Sequence, residues 1–561
     1  MSISAAAPWV NFYGNTPAHL DYPDTTIYQQ LSMAAHKWPG NVAYTFQGKK
    51  TTYAAFMERI EAAAKGLYSL GIRKGDRVTI CMPNSPQALD CFYALNRIGA
   101  QANMIHPLSA AGEIEFYLNF SKSKAILTLD QFYDKVSSVC PAHCTILVAK
   151  IAEELPFPLD LLYPLTKAGR HPLPKTGYTL WQSILGADAV LPEHDGKAHD
   201  CAAILYSGGT TGTSKGIMLS NRNFNALGLQ TIAASGFDRI DGMKMLSIMP
   251  VFHGFGLGIG IHTALIGGAT CILVPQFSVK IYADVLKKQK PNLIPGVPTL
   301  FEALLRADGL EDLDLSFLKG IFAGGDCLSV ELKKKVDDFL KAHNCAEQIR
   351  EGYGTTECVT ASCLTPRDYA RTGSIGVPFP DTYYKIVQVG TTDEVAPETE
   401  GEICLSGPTV MLGYMDAPEE TAQTLRLHED GKLWLHTGDL GKMDADGFVY
   451  FKQRLKRMII SSGYNIYPSQ LENIIDGHEK VLLSCVIGVK DAYRGQKIKA
   501  FIVPAPGIEP SEELKQEILE HCSRHIAKYA MPREVEFRSE LPKTLVGKVA
   551  YRVLEEEANR E

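Results

Sequence analysis

The stretch Tyr206-Ser-Gly-Gly-Thr-Thr-Gly-Thr-Ser-Lys-Gly216 contains, from Ser207 onward, only hydroxyl side chains, glycines and one ammonium group. Apolar residues precede it, from Cys201, and follow it, from Ile217. Glycines let backbone N–H groups turn towards one point, hydroxyls donate to oxygen atoms, and Lys215 adds a positive charge. The register is not that of a Walker A loop, because glycine follows Lys215. The stretch therefore predicts a phosphate-binding loop between two strands and not a flexible linker.

The chain of 561 residues is long enough for at least two domains with large cores. Its formal net charge is −7, with acids and bases interspersed, so we expect no basic patch for nucleic acid or for an anionic membrane. The thirteen cysteines lie scattered through apolar runs, as is typical of free thiols in a reducing compartment. Residues 1–7 have neither the charged region nor the long apolar run of a secretion signal, so we do not expect secretion. No apolar stretch reaches the roughly 18 residues of a membrane span. We therefore expect a cytoplasmic protein.

Helical and strand patterns alternate through the first part of the chain. The apolar spacing predicts helices at 58–70 and 86–98, and strands at 76–82, 125–129 and 145–148. Such alternation is typical of a layered α/β domain. Beyond the glycine-rich loop, Ser220 or Asn221 can cap a helix at about 222–234, and a charged helix is expected at 330–343.

His253 lies in an apolar segment with glycines at 254, 256, 258 and 260. Each glycine costs about 1 kcal/mol in a helix relative to alanine, so something must require the missing side chains. Either another backbone packs closely there, or Gly256 and Gly260 leave open volume for an apolar ligand. The sequence leaves both interpretations open.

Residues 155–174 form a proline-punctuated apolar segment. It is either an irregular surface excursion packed on the domain, or a surface that touches a membrane or admits an acyl chain.

Two further glycine turns carry polar side chains. In Glu351-Gly-Tyr-Gly-Thr-Thr-Glu357, the aromatic ring can stack on a heterocycle, the threonines can donate to a phosphate, and Glu357 can bind Mg²⁺. In Leu435-His-Thr-Gly-Asp-Leu440, Asp439 can accept hydrogen bonds from two ribose hydroxyls.

Five motifs now stand in order: the loop at 206–216, Tyr-Gly-Thr-Thr-Glu at 353–357, Thr-Gly-Asp at 437–439, the run opened by Arg454, and Pro-Lys-Thr-Leu-Val-Gly-Lys at 542–548. With them the chain resembles the adenylate-forming superfamily, which includes acyl-CoA synthetases, peptide-synthetase adenylation domains and firefly luciferase. The likeness extends from about residue 25 to about residue 554.

The resemblance implies a role for each motif residue. The β- and γ-phosphates of ATP would be bound by the loop residues Ser207, Gly208, Gly209, Thr210, Thr211, Gly212, Thr213 and Lys215. Tyr353 would stack on adenine against Gly324 and Gly325, and Asp439 and Arg454 would bind the ribose. Thr356 would bind the α-phosphate, and Glu357 would bind Mg²⁺.

The resemblance also implies which residues act on the acid. His253 would border the acyl carboxylate, and Lys548 would bridge the carboxylate and the α-phosphate. Attack of a carboxylate on phosphorus brings two anions together, so cations and N–H donors suit this chemistry better than a protein nucleophile.

Two domains follow from the same resemblance: a large layered α/β domain, residues 1–454, and a small mobile α+β lid domain, residues 455–561. The hinge would lie near Lys456. After adenylation the lid would rotate, withdraw Lys548 and open a pantetheine channel for CoA beside Gly463.

The implied activity is that of an AMP-forming acyl-CoA synthetase that uses ATP, Mg²⁺ and CoA. Ile460 stands where aryl-CoA ligases often have lysine, and the run 457–468 looks like fatty acyl-CoA ligases. Together with the glycine-lined segment after His253, this favours a medium- or long-chain fatty acid. An aryl- or bile-acid-CoA ligase, an acyl-AMP ligase that loads a carrier protein, and an inactive nucleotide-binding regulator stay as alternatives. Asp326, where the family's glycine turn commonly has proline, has no explanation from sequence. Membrane contact would be peripheral at most, and the sequence is compatible with a homodimer.

Overall fold

Two mostly parallel sheets dominate the N-terminal part of the computed structural model, which describes residues 3–206, 215–461, 464–491, 494–544 and 547–560. In these residues one sheet has nine strands, in the order Val377–Pro378, Cys363–Leu364, Ile349–Tyr353, Gly320–Ala323, Leu293–Gly296, Lys244–Ser247, Thr270–Leu273, Val42–Phe46 and Lys49–Thr52. The other has eight, in the order Gly413–Tyr414, Gly216–Ser220, Cys201–Tyr206, Gln101–Met104, Arg77–Cys81, Ala125–Leu129, Thr145–Ala149 and Thr179–Leu180.

Helices cover and join these sheets, as the alternating pattern predicts. The longer ones are Ile27–Lys37, Tyr53–Ser69, Pro86–Arg97, Ala111–Ser121, Asn221–Ala234, Val279–Gln289, Pro298–Leu305 and Val330–Ala342. Shorter helices are Ile3–Ala6, Tyr133–Ser137, Leu159–Leu162, Trp181–Ile184 and Pro418–Thr424, and the glycine-rich segment forms a π-helix, Phe255–Thr263, that continues as Ala264–Ile266. Among the described residues, no helix has both the length and the apolarity needed to cross a bilayer.

Local sequence signals explain most helix ends. Ser220 caps the helix Asn221–Ala234: its hydroxyl accepts from the Asn223 N–H, and the Asn223 side chain accepts from the Ser220 N–H. The predicted start at residue 58 is wrong for Tyr53–Ser69. That helix begins five residues earlier because Thr52 accepts from the Ala55 N–H as its N-cap.

A third, antiparallel sheet is formed by strands from residues 383–454. Its strands are Tyr383–Val387, Gly401–Ser406, Leu433–Met443 and Leu425–Leu427, with Val449–Arg454 paired to Leu433–Met443. Asp439 and Arg454 face each other in the register of that last pair.

The C-terminal part folds around a fourth sheet with its own apolar clusters. Its strands are Tyr464–Ile466, Ile459–Ser461, Gly495–Pro504, Val481–Asp491 and Glu534–Phe537, and its helices are Pro468–Asp476, Glu512–Ser523 and Tyr551–Ala558. The chain is thus an α/β protein with a large N-terminal domain and a small α+β C-terminal domain, as expected. The boundary at residues 454 and 455 stays a prediction.

Hydrogen bonds between described residues connect the small domain to the large one. The Thr299 hydroxyl donates to the Gly547 carbonyl at 2.7 Å, and Lys335 Nζ donates to the Val481 carbonyl at 3.0 Å. The first contact lies where parallel strands of the nine-stranded sheet end, which is where α/β sheets place their ligand sites. The small domain therefore covers this edge of the sheet.

Candidate active site

The predicted phosphate loop connects two antiparallel strands of the eight-stranded sheet. Tyr206 and Gly216 are register partners at the end of the pair. Ser207, Gly208, Gly209, Thr210, Thr211, Gly212 and Thr213 lie outside the described residues, and so does Gly463. Only Lys215 of the predicted phosphate-binding set can therefore be placed.

Lys215 and Glu357 meet at the ring of Tyr414. The exposed Lys215 Nζ lies 4.6 Å from the centre of that ring, and the Tyr414 hydroxyl donates to Glu357 Oε1 at 2.9 Å. A cation and a carboxylate are thus held side by side where the loop begins and ends. Tyr414 carries no motif signal in the sequence, and the sequence interpretation missed it.

Asp439 is the buried carboxylate of the site. The Tyr353 hydroxyl donates to Oδ2 at 2.6 Å, and Arg454 Nε lies 3.2 Å from Oδ1 without the alignment of a hydrogen bond. Within the described residues, Oδ1 has no hydrogen-bond donor although it is buried. Burial raises the pKa of Asp439, and Arg454 opposes this rise. A buried acceptor oxygen without a donor fits a ligand hydroxyl, such as one on a ribose.

A second carboxylate orients the turn that carries Asp439. Glu402 accepts from His436 Nδ1 and from the Gly438 N–H, both at 2.9 Å, and the Asp439 N–H donates to the Thr437 hydroxyl at 3.1 Å. Although burial raises the pKa of Glu402, these hydrogen bonds bring it below its usual value, so the carboxylate is ionised. Gly438 has φ 71°, a conformation that favours glycine. The sequence interpretation missed both Glu402 and His436, although His436 directly precedes the motif.

Lys548 reaches the glycine turn of the large domain. A Cβ added to Gly325, which has φ 82°, would lie 3.6 Å from Lys548 Cε. The Lys548 backbone is fixed by Thr544, whose N–H donates to the Lys548 carbonyl at 2.7 Å and whose hydroxyl accepts from the Lys548 N–H at 3.1 Å. Burial lowers the pKa of Lys548, and the charge of neighbouring Asp326 opposes this effect. Asp326 therefore lies beside the predicted catalytic lysine.

His253 is a neutral hydrogen-bond donor beside Lys548. Burial, together with the Lys548 ammonium, lowers the pKa of His253 to about 3. The Phe255 N–H donates to His253 Nδ1 at 3.1 Å, so the ring proton is on Nε2. At neutral pH this Nε2–H can donate to an anion without a charge on the ring.

The glycines that follow His253 mostly allow close packing. An added Cβ would lie 1.7 Å from the Val359 carbonyl oxygen at Gly254, 2.1 Å from that of Pro250 at Gly256, and 2.6 Å from a Leu227 methyl group at Gly258. Of the two interpretations that the sequence left open, the structure selects close backbone packing at Gly256. At Gly260 the nearest atom would be at an ordinary 3.7 Å.

An apolar cavity begins at the glycine turn and runs between the π-helix and the nine-stranded sheet. Its near end is lined by Gly324, Gly325, Tyr353 and Gly354, its walls by Phe255, Ile259 and Phe322, and its far end by Thr231, Ile240, Met245 and Leu293. Leu293 pairs with Gly320, and Gly324 lies four residues beyond Gly320 in the strand direction. The two ends of the cavity are therefore about 13 Å apart along the sheet. The far-end residues come from separate elements, and the sequence interpretation named none of them.

The remaining predicted residues lie around these groups. Thr356 begins the short 3₁₀ turn Thr356–Cys358 and is half-buried, and Lys456 lies exposed in the 3₁₀ turn Leu455–Arg457. Electrostatic coupling joins the clusters, since Lys548 and Glu357 both act on the pKa of Asp439. Asp439, Lys548 and Glu357 are therefore close enough to interact electrostatically.

Two protein-family models match the sequence that contains these residues. A family model described as AMP-binding enzyme matches residues 31–415, and one described as AMP-binding enzyme C-terminal domain matches residues 470–548. The chain belongs to the family of AMP-binding enzymes.

Relatives of this AMP-binding enzyme match it over nearly their whole length. It is 36% identical to a long-chain-fatty-acid–CoA ligase of Bacillus subtilis strain 168 and 32% identical to one of Salmonella typhimurium, with 98% of each chain covered in both cases. The crystal structure of the ATP-bound RpMatB-BxBclM chimera B1 matches with a TM-score of 0.82 and 27% identity, covering 95% of this chain and 99% of that chain. ATP and CoA are the substrates of AMP-binding ligases of this kind.

Proposed function

We propose that this AMP-binding enzyme is a long-chain fatty acyl-CoA synthetase, which converts a fatty acid, ATP and CoA into acyl-CoA, AMP and pyrophosphate. The observation that carries the proposal is the apolar cavity in the large domain that is lined at one end by Gly325, the residue beside the Lys548 side chain. A fatty acid in this cavity would have its carboxylate beside Lys548 and His253 and its alkyl chain among apolar side chains. The names of the full-length relatives support the same substrate class.

The first half-reaction joins the acid to the α-phosphate. A carboxylate oxygen attacks the α-phosphorus, the bond from this phosphorus to the bridging oxygen breaks, and pyrophosphate leaves with that oxygen. The charge of Lys548 would offset the repulsion between the two anions, and the neutral His253 Nε2–H would hold the carboxylate. Thr356 would donate to the α-phosphate, and Lys215 would stabilise the departing pyrophosphate together with residues 207–213.

The nucleoside would be bound by the cluster around Asp439. The orphaned Oδ1 suits a ribose hydroxyl, Arg454 lies beside the same carboxylate, and Tyr353 offers its ring to adenine against Gly324 and Gly325. A ribose hydroxyl would donate the hydrogen bond that the buried Asp439 Oδ1 lacks among the described residues.

Mg²⁺ would be held by Glu357. Its carboxylate is positioned by the Tyr414 hydroxyl next to Lys215, and Mg²⁺ commonly uses one or two carboxylates together with substrate phosphate oxygens. The ion would supply positive charge to the phosphates during pyrophosphate departure.

The second half-reaction transfers the acyl group to CoA. The thiol sulfur attacks the acyl carbonyl carbon, the thiol loses its proton, and AMP leaves. We propose that residues 1–454 and 455–561 act as two domains with a hinge at Lys456. Lys548 lies beside Gly325 of the large domain, so it would have to leave before CoA could enter through a channel that the family resemblance implies beside Gly463. We propose that this reaction takes place in the cytoplasm.

The far end of the cavity provides a test of the substrate class. Thr231 lines this end, and its hydroxyl is buried without a hydrogen-bond partner within the described residues. Thr231→Phe fills the cavity, so we expect the preferred acid to become shorter, with kcat/KM for a long-chain acid falling about 10- to 100-fold. Thr231→Val keeps the shape and should retain the long-chain preference. An acid panel scored by acyl-CoA formation measures this; an unchanged chain-length profile in Thr231→Phe contradicts the assignment of the cavity.

A further inference from the structure

Residues 156–175 form an apolar protrusion on the surface of the large domain. The exposed fractions are 80% for Phe157, 63% for Leu161, 51% for Leu162 and 79% for Leu165, and Leu159 is 48% exposed. These five belong to the 21 large apolar side chains that are exposed in the described residues, and they lie within nine consecutive residues. Such clustering is typical of an interaction surface, whereas single exposed apolar residues need no explanation.

Hydrogen bonds hold the protrusion in a defined shape. The Leu159 N–H donates to the Pro156 carbonyl at 2.7 Å, and the Thr166 N–H donates to the Tyr163 carbonyl at 2.9 Å. A Cβ on Gly169 would lie 2.1 Å from the Tyr163 carbonyl oxygen, so the returning chain packs directly on the turn. The apolar side chains are therefore presented by an ordered turn.

Side chains on the inner face fix the protrusion to the domain. Leu155 is buried, and Tyr163 and Leu173 pack against core clusters. Just before the protrusion, buried Glu154 forms an ion pair with Arg59 at 2.5 Å. The inner face of this segment thus packs against the domain, and its outer apolar face is exposed.

The charges of the protrusion are opposite in sign to those of the whole chain. Residues 156–175 contain the basic residues Lys167, Arg170 and Lys175, all exposed, and one acidic residue, Asp160, whereas the chain as a whole has a net charge of −7. Apolar side chains flanked by exposed lysine and arginine are the pattern of proteins that lie on anionic lipid surfaces.

The protrusion leaves the same edge of the eight-stranded sheet as the predicted phosphate loop. It follows strand Thr145–Ala149, and the loop follows strand Cys201–Tyr206; the strand pairs that connect these two in the sheet are all parallel. Four strand spacings of about 4.8 Å separate them, or about 19 Å in total. A surface that binds the protrusion would therefore face the side of the sheet on which the site lies.

We propose that the apolar protrusion docks this enzyme onto an anionic lipid bilayer. Phe157, Leu161 and Leu165 lie at the boundary between head groups and acyl chains, and Lys167 and Arg170 contact lipid phosphates. The docking is a property of the surface and does not depend on the proposed reaction.

Vesicle flotation of the full-length protein tests the proposal. The probes are vesicles of phosphatidylcholine alone and of phosphatidylcholine with phosphatidylglycerol. We expect the wild type to float with the anionic vesicles, and less so at high salt. The triple variant Phe157→Ser/Leu161→Ser/Leu165→Ser should lose binding by about tenfold or more, and so should Lys167→Gln/Arg170→Gln/Lys175→Gln.

A matched control removes equally exposed apolar side chains elsewhere. Val190, Leu427 and Leu433 are 89%, 70% and 48% exposed, and Val190→Ser/Leu427→Ser/Leu433→Ser should bind vesicles like the wild type. Circular dichroism and thermal unfolding of each variant report its folding. Absence of wild-type flotation, or equal flotation of the protrusion variants and the wild type, overturns the proposal. A wild-type dimer that becomes monomeric in the serine variant, without vesicle binding by either, identifies a second copy as the occupant and overturns it as well.

Discussion

In the proposed mechanism, the first chemical step depends on Lys548. Its side chain crosses from the small domain to Gly325 and lies near His253. We expect Lys548→Ala to lower the rate of acyl-AMP formation by 10²-fold or more, because a positive charge aimed at two anions is lost. ATP affinity should largely persist, since in the proposed site other groups would bind the nucleotide.

Pyrophosphate release without CoA and calorimetric ATP binding measure these two effects separately. Lys543→Ala is the matched control, because Lys543 is an exposed lysine at the base of the same loop, paired with Val549. Normal adenylation by Lys548→Ala would remove Lys548 from the mechanism.

Asp326 provides a pH-dependent test at the same place. Burial lowers the pKa of Lys548 below 10.5, so the charged form, and the adenylation rate with it, is lost as pH rises through this lowered value. Asp326 opposes the lowering, so Asp326→Asn should move the alkaline loss of activity to lower pH, and Asp326→Glu should keep it near the wild-type position. His253 stays neutral well above its pKa of about 3 and adds no transition in this range. If adenylation activity is lost over the same alkaline pH range in the wild type, Asp326→Asn and Asp326→Glu, the electrostatic role of Asp326 is contradicted.

At the scale of single elements, the 3₁₀ turn Leu455–Arg457 is the predicted hinge. Proline fixes φ and therefore restricts the backbone rotation that a hinge requires. We expect Lys456→Pro to retain acyl-AMP formation and to lower thioester formation by about 10²-fold, since misplacement of the reacting groups has effects of this size. Single-turnover assays that start from acid and ATP, or from preformed acyl-AMP and CoA, separate the steps. Equal loss of both half-reactions would argue against a hinge at this residue.

The strength of local signals decided how well each element could be predicted. The helix Asn221–Ala234 was predictable because Ser220 provides a capping signal, whereas the start of Tyr53–Ser69 was placed too late because Thr52 was overlooked as a cap. The glycines after His253 could not be interpreted from sequence. A missing side chain is compatible with a nearby backbone or with open space, and only the carbonyl groups of Val359 and Pro250 decide between them.

For the whole molecule, the order of the motifs was enough to predict the fold class and the family. Gly325 and Lys548 lie close together although more than two hundred positions separate them; that they serve one site stays a prediction. The cavity was not predictable in the same way, because Thr231, Met245 and Leu293 belong to unrelated elements and carry no motif. Asp326 could be noticed only as a departure from the family pattern, since its partner lies on the other domain.

The most direct test of the account is the balance of products formed by the purified enzyme from a long-chain fatty acid, ATP, Mg²⁺ and CoA. We expect AMP and acyl-CoA in equal amounts, and no acyl-CoA when the acid, ATP or CoA is omitted. Chromatographic quantification of both products in one reaction measures this ratio. AMP release without acyl-CoA in the presence of CoA, or no AMP release with any acid of a panel from short to long chains, would contradict the proposed function.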